Sequence, residues 1–364
     1  MREAVSPSQI ESKLEKLADQ LQGTNQMRAC LFNLILYATS SERDWYMKHV
    51  AEKVIEKFPS RILLITTDRK SGPLRSFVSF MSGGAGNKEI ACDLIELEIP
   101  EEEKEQTTFL ILPHLIPDLP TYIVHTEDLL NAPLLPDPLE SIATRVIYDS
   151  KNTQNLSLFA KTLLDSYRHK ATQIADLNWA RTEGWRQLFG NLFKSDEELA
   201  KLIEARQMTL TYNASSVQDK ACQTEIQSIF FQAWIALQLG WKLQKVSRKE
   251  RTFLFFYENG DQTTEVILTP GYSNKVSTGR LLSFEFASYQ NHHFSMKRSK
   301  GSPHQVIIEQ SSPHLCMLPT TFALDRGFSD QSLVREICHE GVSTQYLKVL
   351  TLLSKVEQTS LHYE

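Results

Sequence analysis

The stretch from residue 30 to residue 67 constrains the fold of this chain more than any other part of the sequence. Residues 30–38 (CLFNLILYA) form a short, almost wholly apolar run between polar segments, which predicts a buried strand. Residues 47–58 then place apolar side chains at helical spacing, and Pro59 is expected to end that helix. Residues 61–67 (RILLITT) predict the next strand. Strand, helix and strand in this order predict a parallel βαβ unit with a right-handed crossover.

Further short apolar runs extend this pattern to about residue 150. We expect additional strands at residues 76–81, 92–99, 107–112, 121–125 and 145–149. The segment 113–120 (PHLIPDLP) contains three prolines, which favour a rigid extended connection over a helix. The acidic run 101–105 is interpreted as a solvated loop. The sequence therefore predicts an α/β domain over residues 1–150, with a mixed sheet and flanking helices.

The hydrophobic pattern changes after residue 153. Three segments have apolar residues at helical spacing, namely 156–164, 185–192 and 226–237. After Trp241 apolar and polar residues alternate, and Asn259-Gly260 is the strongest hairpin signal, predicting a type I′ turn. A closing helix is expected over about residues 331–353. The prediction for residues 151–364 is an α+β domain in which helices precede an antiparallel meander.

Charge and cysteine usage narrow the class of protein. The 364 residues carry 39 basic and 44 acidic side chains, a net charge of −5, so no bulk positive field is present to hold nucleic acid or an anionic membrane. No stretch reaches the about 18 apolar residues that a membrane span needs. The five cysteines are scattered and never form a CxxC pair, which indicates a reducing compartment. We therefore expect a cytoplasmic globular protein that binds neither nucleic acid nor membrane.

Motifs for catalysis or cofactor binding are missing from the sequence. The glycine-dense segment 82–88 (SGGAGNK) departs from the phosphate-loop pattern because Asn87 separates its last glycine from Lys88. GxSxG, HExxH and GxGxxG patterns are absent. His292 and His293 are neighbours on a predicted strand, so their side chains point to opposite faces and cannot share a metal without a third element. We predict no catalytic residue, no metal site and no cofactor.

Aromatic and arginine side chains are concentrated in residues 176–193 (DLNWARTEGWRQLFGNLF). Trp179, Arg181, Trp185 and Arg186 lie within eight residues of one another. Such density is typical of anchors in protein interfaces, because these side chains bury large areas and guanidinium groups donate planar hydrogen bonds. The alternative is a helix packed into its own core, which the helical spacing of the aromatic residues favours. The residues alone leave both interpretations open.

The same segment resembles the DLNWxRxxxWRxxxAxLF signature of the bacterial OpcA family, the glucose-6-phosphate dehydrogenase assembly proteins. Further blocks resemble the family in the same order: residues 27–38 (MRACLFNLILYA), 59–65 (PSRILLI), 115–124 (LIPDLPTYIV) and 147–150 (IYDS). The resemblance spans residues 27–193, while the region beyond Trp241 is similar only in general layout. Each block is weak by itself, but several in order, with tryptophan and arginine in register, form a specific signal.

The resemblance implies a non-catalytic partner of glucose-6-phosphate dehydrogenase that promotes assembly of the dehydrogenase and activates it allosterically. The implied partner-binding residues are Trp179, Arg181, Trp185 and Arg186, with Asp118, Pro120 and Arg61 as contacts or structural supports. For Asp118 and Arg61 an internal salt bridge that orders the fold is an equally open alternative.

Two other functions stay open from the sequence. Arg61, Arg181, Arg186 and Lys88 could gather around the phosphate of a sugar phosphate, which would make the chain a sensor or an enzyme. The chain could also be a scaffold with a different protein partner.

Overall fold

A computed structural model describes residues 2–21, 26–38, 44–69, 73–83, 89–126, 128–129, 137–169, 172–214, 223–324, 329–339 and 341–356. The chain forms two compact units. Unit 1 comprises Met1–Asp149, Ser166–Asp176 and Asp330–Gly341, and unit 2 comprises Ser150–Asp165, Leu177–Ser329 and Val342–Glu364. The division of the chain into two domains at residue 150 stays a prediction.

Unit 1 is built on a sheet of nine described strands. They are β1 (Glu3–Val5), β2 (Gln26–Arg28), β3 (Asn33–Ala38), β4 (Arg61–Arg69), β5 (Arg75–Gly83), β6 (Glu89–Pro100), β7 (Thr121–His125), β8 (Arg145–Tyr148) and β9 (Gln173–Asp176). Its helices include α1 (Ile10–Asp19), α2 (Asp44–Ile55), α3 (Thr107–Ile111), α4 (Asp137–Ile142) and the last turn of α5 (Leu156–His169).

Six strands of unit 1 form a parallel core in the order β6-β4-β3-β7-β8-β9. This is the strand order of the doubly wound dinucleotide-binding fold. The connection from β3 through α2 to β4 confirms the predicted βαβ unit. Antiparallel pairing of β5 with β6 and of β1 with β5 makes the sheet mixed, as predicted. All six residues of β3 are buried, because a central parallel strand is covered on both faces.

Unit 2 combines helices with a second sheet of nine described strands. The helices are the first part of α5 together with α6 (Leu177–Arg181), α7 (Glu183–Leu192), α8 (Asp196–Ile203), α9 (Ile226–Gln238) and α11 (Thr344–Leu353), while α10 (Ser329–Cys338) belongs mostly to unit 1. The strands are β10 (Ala205–Asn213), β11 (Lys242–Lys249), β12 (Thr252–Asn259), β13 (Gln262–Gly271), β14 (Leu281–Ser288), β15 (His293–Arg298), β16 (Gln305–Ser312), β17 (Leu315–Cys316) and β18 (Thr320–Ala323).

The sheet of unit 2 is the predicted antiparallel meander with one inserted strand. Its order is β11-β12-β13-β10-β14-β15-β16-β17, and β18 also pairs with β16. The inserted strand, β10, pairs parallel with β13 and antiparallel with β14. No strand was expected at residues 205–213. The α+β class predicted for this part of the chain is nevertheless confirmed.

The core of unit 2 is centred on α9. Residues 226–236 of this helix are buried without interruption. A helix that is apolar on nearly every side must be enclosed, and α9 packs against α6 and α11 as well as strands β10 and β13. Gly240 follows α9 with a φ of 71°, the left-handed conformation typical of a helix C-terminus.

The strand expected at residues 107–112 is wrong, because this segment contains the helix α3. Thr107, Thr108 and Ile111 are buried while Phe109 is exposed, a helical rather than an alternating pattern. A 3₁₀ turn at Glu101–Gln106 precedes the helix where a solvated loop was expected. A second 3₁₀ turn, Leu112–His114, begins the segment expected to be extended, and Pro113 fits its first turn.

Two further details of unit 2 and the chain end differ from expectation. The predicted hairpin is present, but Asn259 pairs with Gln262, so Gly260 and Asp261 form the turn. Of these two, Gly260 has a positive φ (61°), which fits a type II′ turn rather than type I′. The closing helix is divided into α10 and α11, and Gly341 between them has a φ of 77°.

Candidate functional site

Three of the motif blocks meet at one edge of the unit 1 sheet. The parallel neighbours β3, β4 and β7 begin side by side at Asn33, Arg61 and Thr121. Their amino ends therefore bring together residues that are far apart in the sequence. We call this the amino edge. It lies opposite the carboxyl edge, where open α/β sheets bind their ligands.

A charge network at the amino edge is centred on the buried Asp93 of β6. Arg61 donates to Asp93 Oδ2 from Nε at 2.9 Å and from Nη2 at 2.7 Å. Arg28 donates to both Asp93 oxygens at 2.7 Å, and these bonds raise the pKa of Arg28. Asp93 and Arg61 are only 3% and 5% exposed, so water screens this pairing weakly. Arg61 thus makes an internal ion pair, one of the two roles that the sequence left open.

Glu11 of α1 extends the network towards the surface. Its Oε1 accepts a hydrogen bond from Arg61 Nη1 at 3.1 Å and lies 3.0 Å from His114 Nδ1. Burial raises the pKa of Glu11, but the hydrogen bond with His114 and the charge of Arg61 outweigh burial, so the net pKa is lowered. Arg61 Nη1 also donates to the carbonyl oxygen of His114 at 2.9 Å. The network therefore connects α1, β4 and β6 with the connection that precedes β7.

Asn33 clamps the proline-rich loop at the amino edge. Its side-chain amide donates to the carbonyl oxygen of Ile116 at 3.1 Å, and its Oδ1 accepts from the Ile116 N–H at 2.9 Å. Its backbone N–H donates to the carbonyl oxygen of Pro120 at 2.8 Å. Between these two points Asp118 is exposed and has a φ of 64°, a conformation that few non-glycine residues adopt. The clamp holds an exposed Pro117–Asp118–Pro120 surface in one fixed conformation.

Two thiols lie close to the amino edge. Cys30 Sγ accepts a hydrogen bond from the Arg61 backbone N–H at 3.0 Å. Burial raises the pKa of Cys30, and it raises the pKa of Cys92 to about 11. Because the thiolate is the reactive form, both side chains are weak nucleophiles at neutral pH.

The aromatic and arginine segment lies in unit 2. Trp179 is 4% exposed, and its ring centroid lies 5.6 Å from that of Tyr346 and 6.4 Å from that of Phe230. The guanidinium carbon of Arg186 lies 3.6 Å from the Trp179 ring centroid, a cation–π contact. Arg186 Nε also donates to Thr182 Oγ1 at 3.1 Å. Trp179 is therefore a core residue covered by a half-buried arginine.

Trp185 is likewise buried, at 2% exposure. Its ring packs against Phe231, with centroids 6.2 Å apart, and the Arg298 guanidinium carbon lies 5.4 Å from the Trp185 ring centroid. Burial lowers the pKa of Arg298 to about 10, so this guanidinium still carries its charge at neutral pH. Arg298 Nε donates to the carbonyl oxygen of Leu281 at 2.6 Å.

Arg181 is hydrogen-bonded to Asn178. Arg181 Nη1 donates to Asn178 Oδ1 at 2.9 Å, and Asn178 Nδ2 donates to Ser150 Oγ at 3.1 Å. Asn178 and Ser150 are both buried, whereas Arg181 is half-buried. The IYDS and DLNWxR blocks are thus joined by a buried hydrogen bond within unit 2.

The carboxyl edge of unit 1 holds a group of buried rings. His125, at the end of β7, stacks on Tyr37 of β3 with centroids 5.7 Å apart and lies 5.8 Å from Tyr148 of β8. Burial raises the pKa of Tyr148. In a dinucleotide-binding fold the turn after the first parallel strand carries glycines that approach the pyrophosphate. Residues 39–45 (TSSERDW), which follow β3 in this chain, contain no glycine.

The predicted site residues fall into two groups. Arg61, Asp118 and Pro120 lie together at the amino edge, and the four residues of the tryptophan segment lie in unit 2. Lys88, assigned to the alternative phosphate site, lies outside the described residues. The guanidinium of Arg61 is occupied by Asp93 and Glu11.

Asp93, Glu11 and Asn33 were missed as functional candidates. The available signal was Asp93, a carboxylate within the apolar segment 92–99 (CDLIELEI). A carboxylate buried in such a strand requires a cationic partner.

No group of three or more potential metal-binding His, Cys, Asp or Glu side chains occurs among the described residues. Within the same part of the chain, none of the helices is long and apolar enough to cross a membrane.

Comparison with known proteins gives two family matches. Residues 51–162 match the glucose-6-phosphate dehydrogenase subunit N-terminal domain of OpcA, and residues 172–346 match the corresponding C-terminal domain. The chain belongs to the OpcA family. A curated relative from Synechococcus elongatus, named OxPP cycle protein OpcA, is 27% identical over 156 residues. That alignment covers 42% of this chain and 32% of the relative, so the chain matches about a third of its length.

Solved structures are similar to this OpcA chain in fold alone. A super-repressor mutant of Gal80p from Saccharomyces cerevisiae has a TM-score of 0.50 and 9% identity, covering 90% of this chain and 95% of that one. KijD10, a 3-ketoreductase from Actinomadura kijaniata, has a TM-score of 0.49 and 10% identity, covering 89% of this chain and 96% of that one.

Proposed function

We propose that this chain associates with glucose-6-phosphate dehydrogenase and stabilises an active, assembled form of that enzyme without catalysing a reaction itself. Membership of a family described as a subunit of the dehydrogenase supports the identity of the partner. The single observation that carries the proposal is the convergence of three of the blocks that resemble the family at the amino edge, where they form a rigid surface opposite the edge at which open α/β sheets bind their ligands. Asn33 and the Asp93 network fix that surface.

The proposed contact surface consists of the exposed residues Leu31, Pro117, Asp118 and Pro120. Leu31 is 55% exposed, although large apolar side chains are usually buried. A loop that is already fixed loses little conformational entropy on binding, so more of the contact energy appears as affinity. The exposed Asp118 adds a charge that a basic group on the dehydrogenase can pair with.

The tryptophan segment is proposed to act differently from the contact surface. Because Trp179 and Trp185 are buried, we propose that they support the outer surface of unit 2 instead of touching the partner directly. Arg181 and Arg186 are half-buried and remain proposed contacts.

The proposed mechanism is a shift in the population of dehydrogenase states. A protein that binds the active form more tightly than the inactive form shifts the equilibrium by the ratio of the two affinities. A tenfold change in apparent substrate affinity needs about 1.4 kcal/mol of coupling. A few well-placed anchors can supply this energy.

Two measurements on the purified dehydrogenase, with and without this chain, test the proposal. Enzyme kinetics give the KM for the substrate, and mass photometry gives the fraction of each oligomer. We expect a higher oligomer fraction and a several-fold lower KM for glucose 6-phosphate. Asp118→Arg and Leu31→Glu should weaken the effect at least tenfold, whereas Tyr272→Glu, at an exposed position in unit 2, should leave it within twofold. Absence of complex and of any kinetic change at tens of micromolar would falsify the association.

A mixture of glucose 6-phosphate and this chain, without the dehydrogenase, distinguishes the proposed role from that of a sugar-phosphate sensor. Ligand binding to the folded state raises the melting temperature. A thermal shift without dehydrogenase would favour the sugar-phosphate sensor, and turnover of the sugar phosphate by the chain alone would overturn the non-catalytic role.

A further inference from the structure

A wide groove lies on unit 2 between the edge strand β11 and helix α11. Its volume is about 800 Å³, within the range of about 300–1,000 Å³ typical of ligand pockets. Six of the twelve lining residues are apolar, and four of these form the floor: Leu237, Trp241, Leu243 and Leu352. Trp241 is buried, and the three leucines are half-buried. The groove therefore offers apolar surface that the described residues cover only in part.

Lysines line both sides of this groove. Lys242 and Lys245 lie on β11, and Lys348 and Lys355 lie on α11 and the turn that follows it. All four are exposed, and the lining residues include no carboxylate. The Nζ of Lys242 lies 3.7 Å from Oε1 of Glu258, its cross-strand neighbour on β12. The other three lysines have no carboxylate within 4 Å among the residues that the structure describes.

The position of β11 in the sheet suits an extended ligand. β11 is the first strand in the sheet order, with β12 as its neighbour. Its register shifts between Leu243 and Lys245, so Gln244 falls outside the regular ladder. Such irregularities bend an edge strand and redirect its side chains. Exposed sheet edges bind extended peptides as an added strand, with alternate peptide side chains entering pockets beside the edge.

Protection of the sheet edge against aggregation accounts for only two of the four lysines in the groove. Charged residues, lysine above all, are common on edge strands because they prevent pairing with other chains. That reason applies to Lys242 and Lys245 but not to Lys348 and Lys355, which belong to the helical side of the groove. A single function for all four requires a negatively charged occupant between them.

We propose that this groove binds an extended acidic segment of a partner protein, in which carboxylate and apolar side chains alternate. The apolar side chains contact the leucines and Trp241 on the floor, and the carboxylates pair with the lysines on both sides. A nucleic acid is a poorer fit, because its uniform phosphate backbone supplies no aliphatic side chains for an apolar floor. This proposal does not depend on association with the dehydrogenase, and its test contains no dehydrogenase.

Fluorescence anisotropy with a labelled nine-residue peptide that alternates glutamate and valine tests the proposal on the full chain. We expect saturable binding that weakens as salt is added, since the lysines are exposed. The double substitution Lys348→Glu and Lys355→Glu should weaken binding at least tenfold. The matched control is the double substitution Lys161→Glu and Lys194→Glu, which reverses two exposed charges away from the groove lining and should change binding less than twofold.

Two control ligands separate the groove from unspecific attraction to charge. A peptide with serine in place of every valine should bind at least fivefold more weakly, because it cannot use the apolar floor. Equal binding of that peptide or of a short single-stranded DNA would overturn the proposal. Equal effects of the two double substitutions, or no binding at 200 micromolar peptide, would also overturn it. Circular dichroism of each variant verifies that it is folded.

Discussion

The amino edge of unit 1 and the tryptophan segment of unit 2 are held in place by different interactions. At the amino edge of unit 1, the buried residues Arg61 and Asp93 form the centre of a charge network, and the more exposed Arg28 also pairs with Asp93. In unit 2, the tryptophan segment is held by ring packing, with Phe189 in contact with Phe231, Trp234 and Phe284. The first arrangement depends on charge and geometry, and the second depends mainly on buried area.

Because of this difference, substitutions and pH should affect the stability of the two regions in different ways. A buried ion pair contributes modestly as a pair but is costly to break on one side, because the remaining charge stays buried without compensation. An aromatic core loses transfer energy and gains a cavity when a ring is removed, largely independent of pH. Stability should therefore respond to pH at the amino edge and to side-chain volume in unit 2.

The largest expected effect comes from Asp93→Ala, which leaves the buried Arg61 with only the half-exposed Glu11 carboxylate. We expect a loss of about 3–5 kcal/mol in the free energy of unfolding, measured by urea denaturation. As a control, Lys297→Ala removes an ion pair to Glu285 that is exposed on both sides and should cost less than about 1 kcal/mol. A loss below about 1 kcal/mol for Asp93→Ala would mean that the network does not order the amino edge.

Phe189→Ala should destabilise unit 2 by a similar or slightly smaller amount, about 3–4 kcal/mol, through the cavity that it creates. Phe189→Leu keeps part of the volume and should cost clearly less. Denaturation at pH 7 and pH 5 should give the same loss for Phe189→Ala. A strong pH dependence would contradict the contrast between the two regions.

Arg186→Met should have an intermediate effect. The substitution keeps an aliphatic cover over Trp179 but removes the cation–π contact and the hydrogen bond to Thr182, with an expected cost of about 0.5–2 kcal/mol. Tryptophan fluorescence during unfolding provides the measurement. Arg186→Lys should recover part of the loss, and equal losses for both variants would show that the planar guanidinium is required.

The smallest expected effect concerns the pH dependence of the amino edge through Glu11. Because the pKa of Glu11 is lowered in the folded chain, its contribution is present above the ordinary value of 4.5 and is lost as pH falls through the lowered folded value. Glu11→Gln should therefore lower the free energy of unfolding near neutral pH, and the difference from the parent chain should shrink as the pH falls below 4.5. A difference between the two proteins that stays constant from pH 3 to pH 7 would contradict this role.

Local patterns in the sequence predicted much of the secondary structure. The stripe at Met47, Val50 and Val54 predicted α2, because helical spacing is visible within a few turns. The segment at residues 107–112 was misassigned because six apolar-rich residues are too few to distinguish a strand from a helix, and burial of Thr107 and Thr108 depends on distant contacts. The aromatic spacing in the tryptophan segment was compatible with both a core and an interface, and the structure buries its rings.

The amino-acid sequence was sufficient to predict the α/β and α+β classes and the parallel βαβ unit, since each depends on residues that are close in the chain. It was also sufficient to detect the family resemblance, which depends on sequence blocks that occur in the same order. Tertiary structure alone decided that β10 enters the meander between β13 and β14, and that Arg28, Arg61 and Glu11 share one network around Asp93. The physical reason is that strand neighbours and buried charge partners are selected by long-range packing, which a local hydrophobic pattern does not encode.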